Sequence, residues 1–335
     1  MDLSNSRVAV TGADGFIGSH LVEALHAAGA RVSALALYNA FDTHGWLDDL
    51  PPDTRAAIDL VRGDVRDAGF VRRFVEGADI VFHLAALGAI PYSYEAPASY
   101  VDVNVTGTLN VLEAARSHAV GRVVHTSTSE VYGTALSTPM DETHPLQGQS
   151  PYSATKIGAD MMAEAFARSF GLPVVILRPF NTYGPRQSER AIIASTIRQA
   201  LDPECEAIRV GDLSTSRDFT FVLDTVDAFL RAGGSPGLDH GKAYNGGTGR
   251  AVTIGETVDA IVAITGCRKP VVPSADRMRP GASEVRALLA DNRRLGEATG
   301  WTPRVSLEDG LAATIAWWRK RLQRGLQRAD ARFLS

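Results

Sequence analysis

The stretch VAVTGADGFIG, residues 8–18, decides the fold of this chain. The apolar, β-branched run before the glycines predicts a strand, and the apolar spacing after them predicts a helix. Glycines at this spacing permit a tight turn, let backbone N–H groups approach a pyrophosphate, and allow close packing of helix on strand. We therefore predict a dinucleotide-binding loop, with an ordinary tight turn as the alternative. Its predicted cofactor contacts are Gly12, Gly15, Phe16, Ile17 and Gly18.

On either side of this loop, short β-branched runs alternate with longer amphipathic stretches, which favours a parallel sheet covered on both faces. Strands are predicted at 7–10, 31–37, 79–84, 122–126 and 173–177, and helices at 18–28, 70–76, 103–118 and 152–170. We predict an α/β fold with a Rossmann-type doubly wound sheet in residues 1–178, which also carry the catalytic residues. Residues 179–335 are predicted to form a smaller, mainly substrate-binding lobe, partly interleaved with the first domain.

Composition excludes several classes of protein. The 34 basic and 38 acidic residues give a net charge of −4 without a basic stripe, which disfavours nucleic-acid binding. The first ten residues lack the pattern of a signal peptide, and the apolar run 80–91 is too short to span a membrane. Cys205 and Cys267 are interpreted as buried, reduced thiols. We expect a soluble cytoplasmic protein without a membrane partner.

The choice between NAD and NADP stays open. Ala36 stands where a carboxylate normally binds the ribose, and Asp42 comes later in the chain. Because no arginine cluster follows to bind a 2′-phosphate, we favour NAD without excluding NADP. Asp64 is placed to accept a hydrogen bond from the adenine amine, with a plain surface turn as the alternative.

The predicted catalytic residues lie around Tyr152 and Lys156. Their i, i+4 spacing places them on one helix face, where the lysine can stabilise a tyrosinate and lower its pKa toward neutrality. This lysine is also one of only four in the chain. Upstream, Thr128 and Glu130 follow a strand end that faces the cofactor crevice of such folds. Thr128 is predicted to bind a sugar hydroxyl. Glu130 is predicted to remove a proton from carbon, with a solvent-exposed loop glutamate as the alternative.

Three arginines downstream, Arg186, Arg217 and Arg279, are candidate ligands of a diphosphate, with a surface position as the alternative for each. His83 is interpreted as a structural residue, and no metal site is predicted.

Together these segments resemble the extended short-chain dehydrogenase/reductase family, specifically its nucleotide-sugar epimerases and dehydratases. The resemblance rests on residues 11–18, 83–86, 104–108, 152–156, 178–185 and 217–219. The stretches 37–39, 45–48, 90–94 and 125–133 are closest to sugar-nucleotide 4,6-dehydratases of the legionaminic-acid pathway type. The resemblance implies further cofactor contacts at Asp64, Val65, Leu84, Ala85, Ala86, Asn104, Tyr152, Lys156 and Pro179.

The resemblance also implies a substrate and a partner. Asn181 and Arg217 would contact the substrate diphosphate, Arg279 and Glu284 would lie at the nucleotide end, and Tyr92 would bind substrate. Family dimers pack helices corresponding to 103–118 and 152–170 into a four-helix bundle, so a homodimer is expected.

One residue departs from the best-known hexose dehydratases. Their Thr-Asp-Glu is replaced by Thr128–Ser129–Glu130, and serine is a poor acid for protonating the departing 6-hydroxyl. The resemblance implies a 4,6-dehydratase for an NDP-N-acetylglucosamine, in which bound NAD transiently oxidises C4 and Ser129 assists at O6. UDP-glucuronate decarboxylases share Thr-Ser-Glu, so decarboxylation stays open, as does 4-epimerisation. A non-catalytic dinucleotide sensor is disfavoured because such proteins typically lack the Tyr/Lys pair.

Overall fold

The computed structural model describes residues 3–277 and 281–326. A parallel sheet of seven strands forms its centre, in the order β10-β6-β5-β4-β1-β2-β3. The strands are β1 Arg7–Thr11, β2 Arg31–Leu37, β3 Asp59–Gly63, β4 Ile80–His83, β5 Arg122–Thr126, β6 Val174–Pro179, β7 Asn181–Tyr183, β8 Ile208–Val210, β9 Ser216–Phe221, β10 Lys242–Gly246, β11 Ala251–Thr253 and β12 Val271–Pro273. The expected Rossmann-type α/β fold is confirmed.

Helices cover both faces of this sheet. They are α1 Phe16–Ala27, α2 Pro52–Ala57, α3 Ala68–Val75, α4 Ile90–Glu95, α5 Pro97–Tyr100, α6 Gly107–Ser117, α7 Pro151–Phe170, α8 Ile192–Leu201, α9 Val222–Gly234, α10 Ile254–Thr265, α11 Arg293–Thr299 and α12 Leu307–Gln323. On one face α1 and α9 contribute to a core with Val10 and Phe82; on the other, α3, α6 and α7 pack over Ala9 and Val81. Because strand side chains alternate between faces, adjacent strand residues enter different cores.

The chain beyond residue 178 enters both this sheet and two smaller ones. β10 pairs in parallel with β6 at the edge of the central sheet, and the smaller sheets are β11-β9-β7 and β12-β8. A third core, around Tyr132, Phe180 and Leu288, joins loops of the central sheet to the segment near residue 288. The predicted boundary near residue 178 stays a prediction.

Several sequence predictions need correction in detail. β3 and β10 were not predicted, and the helix expected at 103–118 is a π-helical turn, Val101–Thr106, followed by α6. Cys205 and Cys267 are free thiols, but both are only partly buried. Within residues 3–277 and 281–326, no helix has the length and apolar character needed to cross a bilayer.

Candidate active site

The glycine-rich loop joins β1 to α1 at the carboxyl edge of the sheet. Gly12 has a φ of +65°, and a Cβ there would lie 2.6 Å from the backbone nitrogen of Ala85. A Cβ at Gly18 would collide with the Gly12 carbonyl, so α1 and the loop pack without room for a side chain. Because the first N–H groups of a helix have no partner within it, the start of α1 at Phe16 suits an anion. The loop therefore fits a dinucleotide pyrophosphate.

The loop after β4 lies against the end of β1. The Leu84 N–H donates to the Thr11 carbonyl at 3.1 Å, and the Ala85 N–H donates to the Thr11 hydroxyl at 3.2 Å. His83, which precedes them, is buried between the hydroxyls of Thr11 and Thr108, as its structural interpretation requires. The predicted cofactor residues Leu84, Ala85 and Ala86 thus lie beside the glycine-rich loop.

Asn104 links this loop to α7. Its Oδ1 accepts from the Leu87 N–H at 2.9 Å, and its Nδ2 donates to the Thr155 hydroxyl at 3.0 Å. Asn104 lies in the π-helical turn, a feature frequent at functional sites. Its fully buried amide therefore positions the helix that carries Tyr152, while its predicted contact with the cofactor stays a prediction.

Asp64 and Val65 follow β3 at the side of the sheet where an adenosine is expected. Asp64 lines a cavity of about 460 Å³ together with Arg66, Asp102 and neighbouring side chains. The Asp64 carboxylate accepts from the Arg66 Nε at 3.0 Å, and this hydrogen bond lowers the pKa of Asp64. Val65 is buried. The predicted contact of Asp64 with the adenine amine stays a prediction.

The end of β2 has an ion pair that the sequence did not reveal. Ala36 is fully buried and lies beside Arg62 of β3 in the strand register. The Arg62 guanidinium pairs with the carboxylate of Asp42, and it donates to the Asp42 carbonyl at 3.1 Å. A second carboxylate, that of Asp14, accepts from the Leu37 N–H at 3.0 Å. The end of β2 therefore has two carboxylates nearby, those of Asp14 and Asp42, although residue 36 is an alanine. The nearby cation, Arg62, is already paired with Asp42.

Tyr152 and Lys156 lie on α7, whose start is well defined. Ser150 caps the helix through a reciprocal pair of hydrogen bonds with Ser153, and Pro151 occupies the first helical turn. The Tyr152 phenol is hydrogen-bonded to Thr128, while the Lys156 ammonium donates to the Thr126 carbonyl at 2.6 Å. The structure thus places both side chains of this helix pair against the end of β5.

Burial has the largest effect on the pKa of Tyr152 in the protein alone. Burial raises its pKa above the ordinary value, the Thr128 hydrogen bond opposes this rise, and the charge of Glu130 adds to it. Burial also lowers the pKa of Lys156 to about 8, although the nearby Asp160 raises it. Desolvation outweighs the favourable contacts here because both groups lie in a low-dielectric interior.

The segment after β5 forms a 3₁₀ turn, Ser129–Tyr132, that presents Glu130. The Thr128 hydroxyl accepts from the Glu130 N–H at 3.2 Å and so caps this turn. Glu130 is partly exposed and acts electrostatically on Tyr152, whereas Ser129 is buried. The structure therefore gathers the predicted base and the Tyr/Lys pair into one site.

Tyr92 approaches this site through a row of aromatic rings. Its ring lies 6.2 Å from that of Tyr100, which in turn lies 6.3 Å from that of Tyr152. Tyr92 is 43% exposed, so its ring is accessible for the predicted substrate contact.

The predicted substrate residues beyond β6 differ in whether their polar groups already have partners within the protein. Within residues 3–277 and 281–326, the Asn181 Oδ1 is buried without a hydrogen-bond partner, which fits a ligand contact. Arg217 pairs with Glu284 at 2.9 Å, and Arg186 pairs with Glu23 of α1 at 2.7 Å. The charge of Arg186 is thus already compensated, and its diphosphate contact stays a prediction. Arg279 lies outside the described residues, and Pro179 ends β6.

This geometry agrees with comparisons to known proteins. The family model described as GDP-mannose 4,6 dehydratase matches residues 9–314. The chain belongs to this family. A UDP-glucose 4-epimerase of Mycolicibacterium smegmatis is 36% identical, covering 95% of this chain and all of the relative. A dTDP-glucose 4,6-dehydratase of Streptomyces antibioticus is 35% identical over 92% of this chain and 91% of that one.

A solved structure shows the same architecture. The dTDP-glucose 4,6-dehydratase DesIV of Streptomyces venezuelae, crystallised with NAD and TYD, aligns with a TM-score of 0.85 and 31% identity. The alignment covers 96% of this chain and all of that one. The expected membership among nucleotide-sugar dehydratases and epimerases is thereby confirmed, while the legionaminic-acid type stays a prediction.

Proposed function

We propose that this protein is an NAD-dependent nucleotide-sugar 4,6-dehydratase acting on an NDP-N-acetylglucosamine. The observation that carries the proposal is the position of Glu130, a carboxylate on the turn capped by Thr128, whose side chain is also hydrogen-bonded to Tyr152. A dehydratase needs a base for C5 beside the group that deprotonates the 4-hydroxyl, whereas oxidation at C4 alone needs only the latter.

The glycine-rich loop supports NAD as the cofactor. The close approach around Gly12 and the start of α1 fit the pyrophosphate. We infer that Lys156 and Tyr152 contact the nicotinamide ribose. When bound, NAD supplies the two-electron acceptor at C4, and the same electrons return to the sugar at C6. DesIV, crystallised with NAD, supports this assignment.

The chain's own residues then perform the proton transfers. The Lys156 charge stabilises the phenolate form of Tyr152, which removes the proton of the sugar 4-hydroxyl and becomes a neutral phenol. The C4 ketone acidifies the C5 hydrogen, which Glu130 removes as a proton. O6 leaves as water, with its proton delivered through a relay that includes Ser129. When the electrons return to C6, Glu130 gives its proton back to C5, and a 4-keto-6-deoxy sugar results. Thr128 orients the sugar through a hydrogen bond during these steps.

Two other reactions of the same family have specific support. The Mycolicibacterium smegmatis relative, an epimerase, favours inversion at C4. Thr128–Ser129–Glu130 favours decarboxylation of a uronate, in which no hydroxyl leaves. Glu130 weighs against simple epimerisation because that reaction needs no base at C5.

Mass spectrometry distinguishes these reactions. The protein is incubated with UDP-, GDP- and dTDP-linked N-acetylglucosamine and glucose, and with UDP-glucuronate. We expect loss of one water from an N-acetylglucosamine substrate. Loss of CO₂ from the uronate, or an unchanged mass with inverted C4, would overturn the dehydratase proposal.

Glu130→Gln tests the role of the base. The variant should still oxidise C4, seen as absorbance of the reduced nicotinamide, but should not exchange the C5 hydrogen with deuterated solvent. Glu297→Gln, at an exposed carboxylate on α11, is the matched control and should exchange normally. Exchange at the wild-type rate in Glu130→Gln would show that another group is the base.

A homodimer through α6 and α7 is part of the proposal. Met161 and Phe170 on α7 are 43% and 54% exposed, and Val101 before α6 is 48% exposed. Apolar side chains on two adjacent helices suit burial against the same helices of a second copy, since a twofold interface uses one patch twice.

A further inference from the structure

Three residues spaced by four along α7 face three consecutive residues at the end of β5. Lys156 donates to the Thr126 carbonyl at 2.6 Å. Asp160, one turn further along, accepts from the Ser127 hydroxyl at 2.7 Å, and Tyr152, one turn earlier, is hydrogen-bonded to Thr128. Asp160 is therefore the third member of the face that holds Tyr152 and Lys156.

The Asp160 carboxylate is fully buried and accepts four hydrogen bonds. Besides that of Ser127, its donors are His125 Nε2 at 3.2 Å and two nitrogens of Arg178, at 3.2 and 3.0 Å. The Arg178 Nη1 also donates to the Tyr132 hydroxyl at 2.9 Å. Because Tyr132 ends the turn that presents Glu130, Asp160 is connected to both parts of the site.

Asp160 is a source of negative charge close to the Lys156 ammonium. Among the described residues, the ionisable groups of the surrounding elements include His83 on β4, Tyr100 on α5, His125 on β5, Arg178 on β6, and Tyr152 and Asp160 on α7. Glu130 acts on Tyr152 from the turn. Burial lowers the pKa of both histidines and so disfavours their charged forms. Of the groups that the structure describes, Asp160 supplies the negative charge that raises the pKa of Lys156.

We propose that Asp160 is a positioning residue that keeps the Lys156 ammonium charged and holds the Thr128–Glu130 segment against α7. The side chain touches no reacting atom and acts through Lys156, Ser127 and Arg178. The electrostatic part of the proposal concerns the protein alone, and only its consequence for turnover rests on the proposed function.

The chain's four lysines make a direct measurement possible. The titration of ¹³C-labelled lysine side chains is followed by NMR in wild type and Asp160→Asn, and Lys156→Met assigns the signal. We expect the midpoint of the Lys156 titration to lie about one pH unit lower in Asp160→Asn than in wild type, because the ammonium loses a nearby negative charge. Asp227→Asn, which breaks a surface pair with Arg231 on α9, is the matched control and should leave the Lys156 signal unchanged.

An unchanged Lys156 titration in folded Asp160→Asn would overturn the proposal. Should that variant not fold, Arg178→Gln provides the opposite test. Without the Arg178 cation, the Asp160 charge acts on Lys156 alone, so the Lys156 titration should move to higher pH. An unchanged titration in this variant would also overturn the proposal.

The pH profile of turnover tests the consequence for catalysis. Activity requires charged Lys156, so kcat/KM falls as pH rises through the pKa of Lys156. In Asp160→Asn this falling limb should move to lower pH, with kcat reduced more than KM is changed, while Asp227→Asn keeps the wild-type limb. If the Lys156 titration shifts in the NMR experiment but the high-pH fall of kcat/KM does not, the predicted effect on catalysis is refuted. If no substrate is turned over, the proposed function fails while the NMR result still decides the role of Asp160.

Discussion

Gly12→Ala and Gly171→Ala form a pair that isolates the crowding of the cofactor loop. Both glycines have left-handed backbone, with φ of +65° and +68°. A Cβ at Gly171, after α7, would meet no heavy atom within 4 Å. A Cβ at Gly12 would meet backbone atoms of Leu84 and Ala85 at 2.6 to 2.8 Å. The variants therefore share a backbone cost, and only Gly12→Ala adds a clash.

The expected energies follow from these contacts. Left-handed backbone costs alanine about 1–2 kcal/mol, of which about 0.4–1 kcal/mol is recovered by restricting the unfolded chain. Gly171→Ala should thus lower the free energy of unfolding by about 1 kcal/mol. At Gly12 the neighbours are backbone atoms that cannot rotate away, so overpacking adds about 1–3 kcal/mol. The difference between the variants should equal this added cost.

Urea unfolding followed by circular dichroism measures the difference, provided that both variants share the wild-type slope. Calorimetric titration with NAD gives a second measurement. We expect Gly12→Ala to bind NAD at least about tenfold more weakly, since a shift of about 1.4 kcal/mol suffices, and Gly171→Ala to bind it normally. Equal destabilisation of the two variants would refute the reasoning from close approach.

Three further predictions concern pH, cofactor choice and assembly. Because burial lowers the pKa of Lys156 from 10.5 to about 8, only the unfolded chain holds this proton between those values, and wild-type stability rises with pH there. The free energy of unfolding of Lys156→Met minus that of wild type should therefore fall by up to about 3 kcal/mol between pH 8 and 10.5 in urea unfolding. A difference that does not change with pH would contradict this prediction. Asp42→Ala frees Arg62 for a 2′-phosphate and should raise NADP affinity relative to NAD roughly tenfold in calorimetry, whereas an unchanged ratio would exclude Arg62. Met161→Glu should convert the proposed dimer into a monomer in light scattering, and a persisting dimer would place the interface elsewhere.

The sequence predicted the centre of the fold because its signals there are local. The glycine-rich loop, the buried strands and the Tyr152–Lys156 spacing each lie within a few turns of chain. β10 was missed because its partner β6 precedes it by more than sixty residues, and its short KAYNG sequence has no strand pattern of its own. β3 was missed because its DLVRG sequence is short and interrupted by charge.

The site was predicted less completely for a related reason. Residue spacing placed Lys156 on the same helix face as Tyr152, but burial and the Thr126 carbonyl decide where its ammonium lies and how readily it ionises. The same spacing, extended by one turn, would have found Asp160. No pattern in the chain indicated that Arg62 lies beside Ala36, since that contact depends on the register of two strands.

The pairing of β10 with β6 restricts how this protein can be divided. A fragment ending at residue 178 would leave β6 as an edge strand, although all of its residues are buried in the whole protein. Such an exposed apolar edge is a site for aggregation. Exchanging the predicted C-terminal lobe with that of a relative therefore requires that residues 242–246 stay with the central sheet. Specificity is then most safely altered by replacing surface loops beyond residue 178 while β10 stays paired with β6, rather than by recombining whole domains.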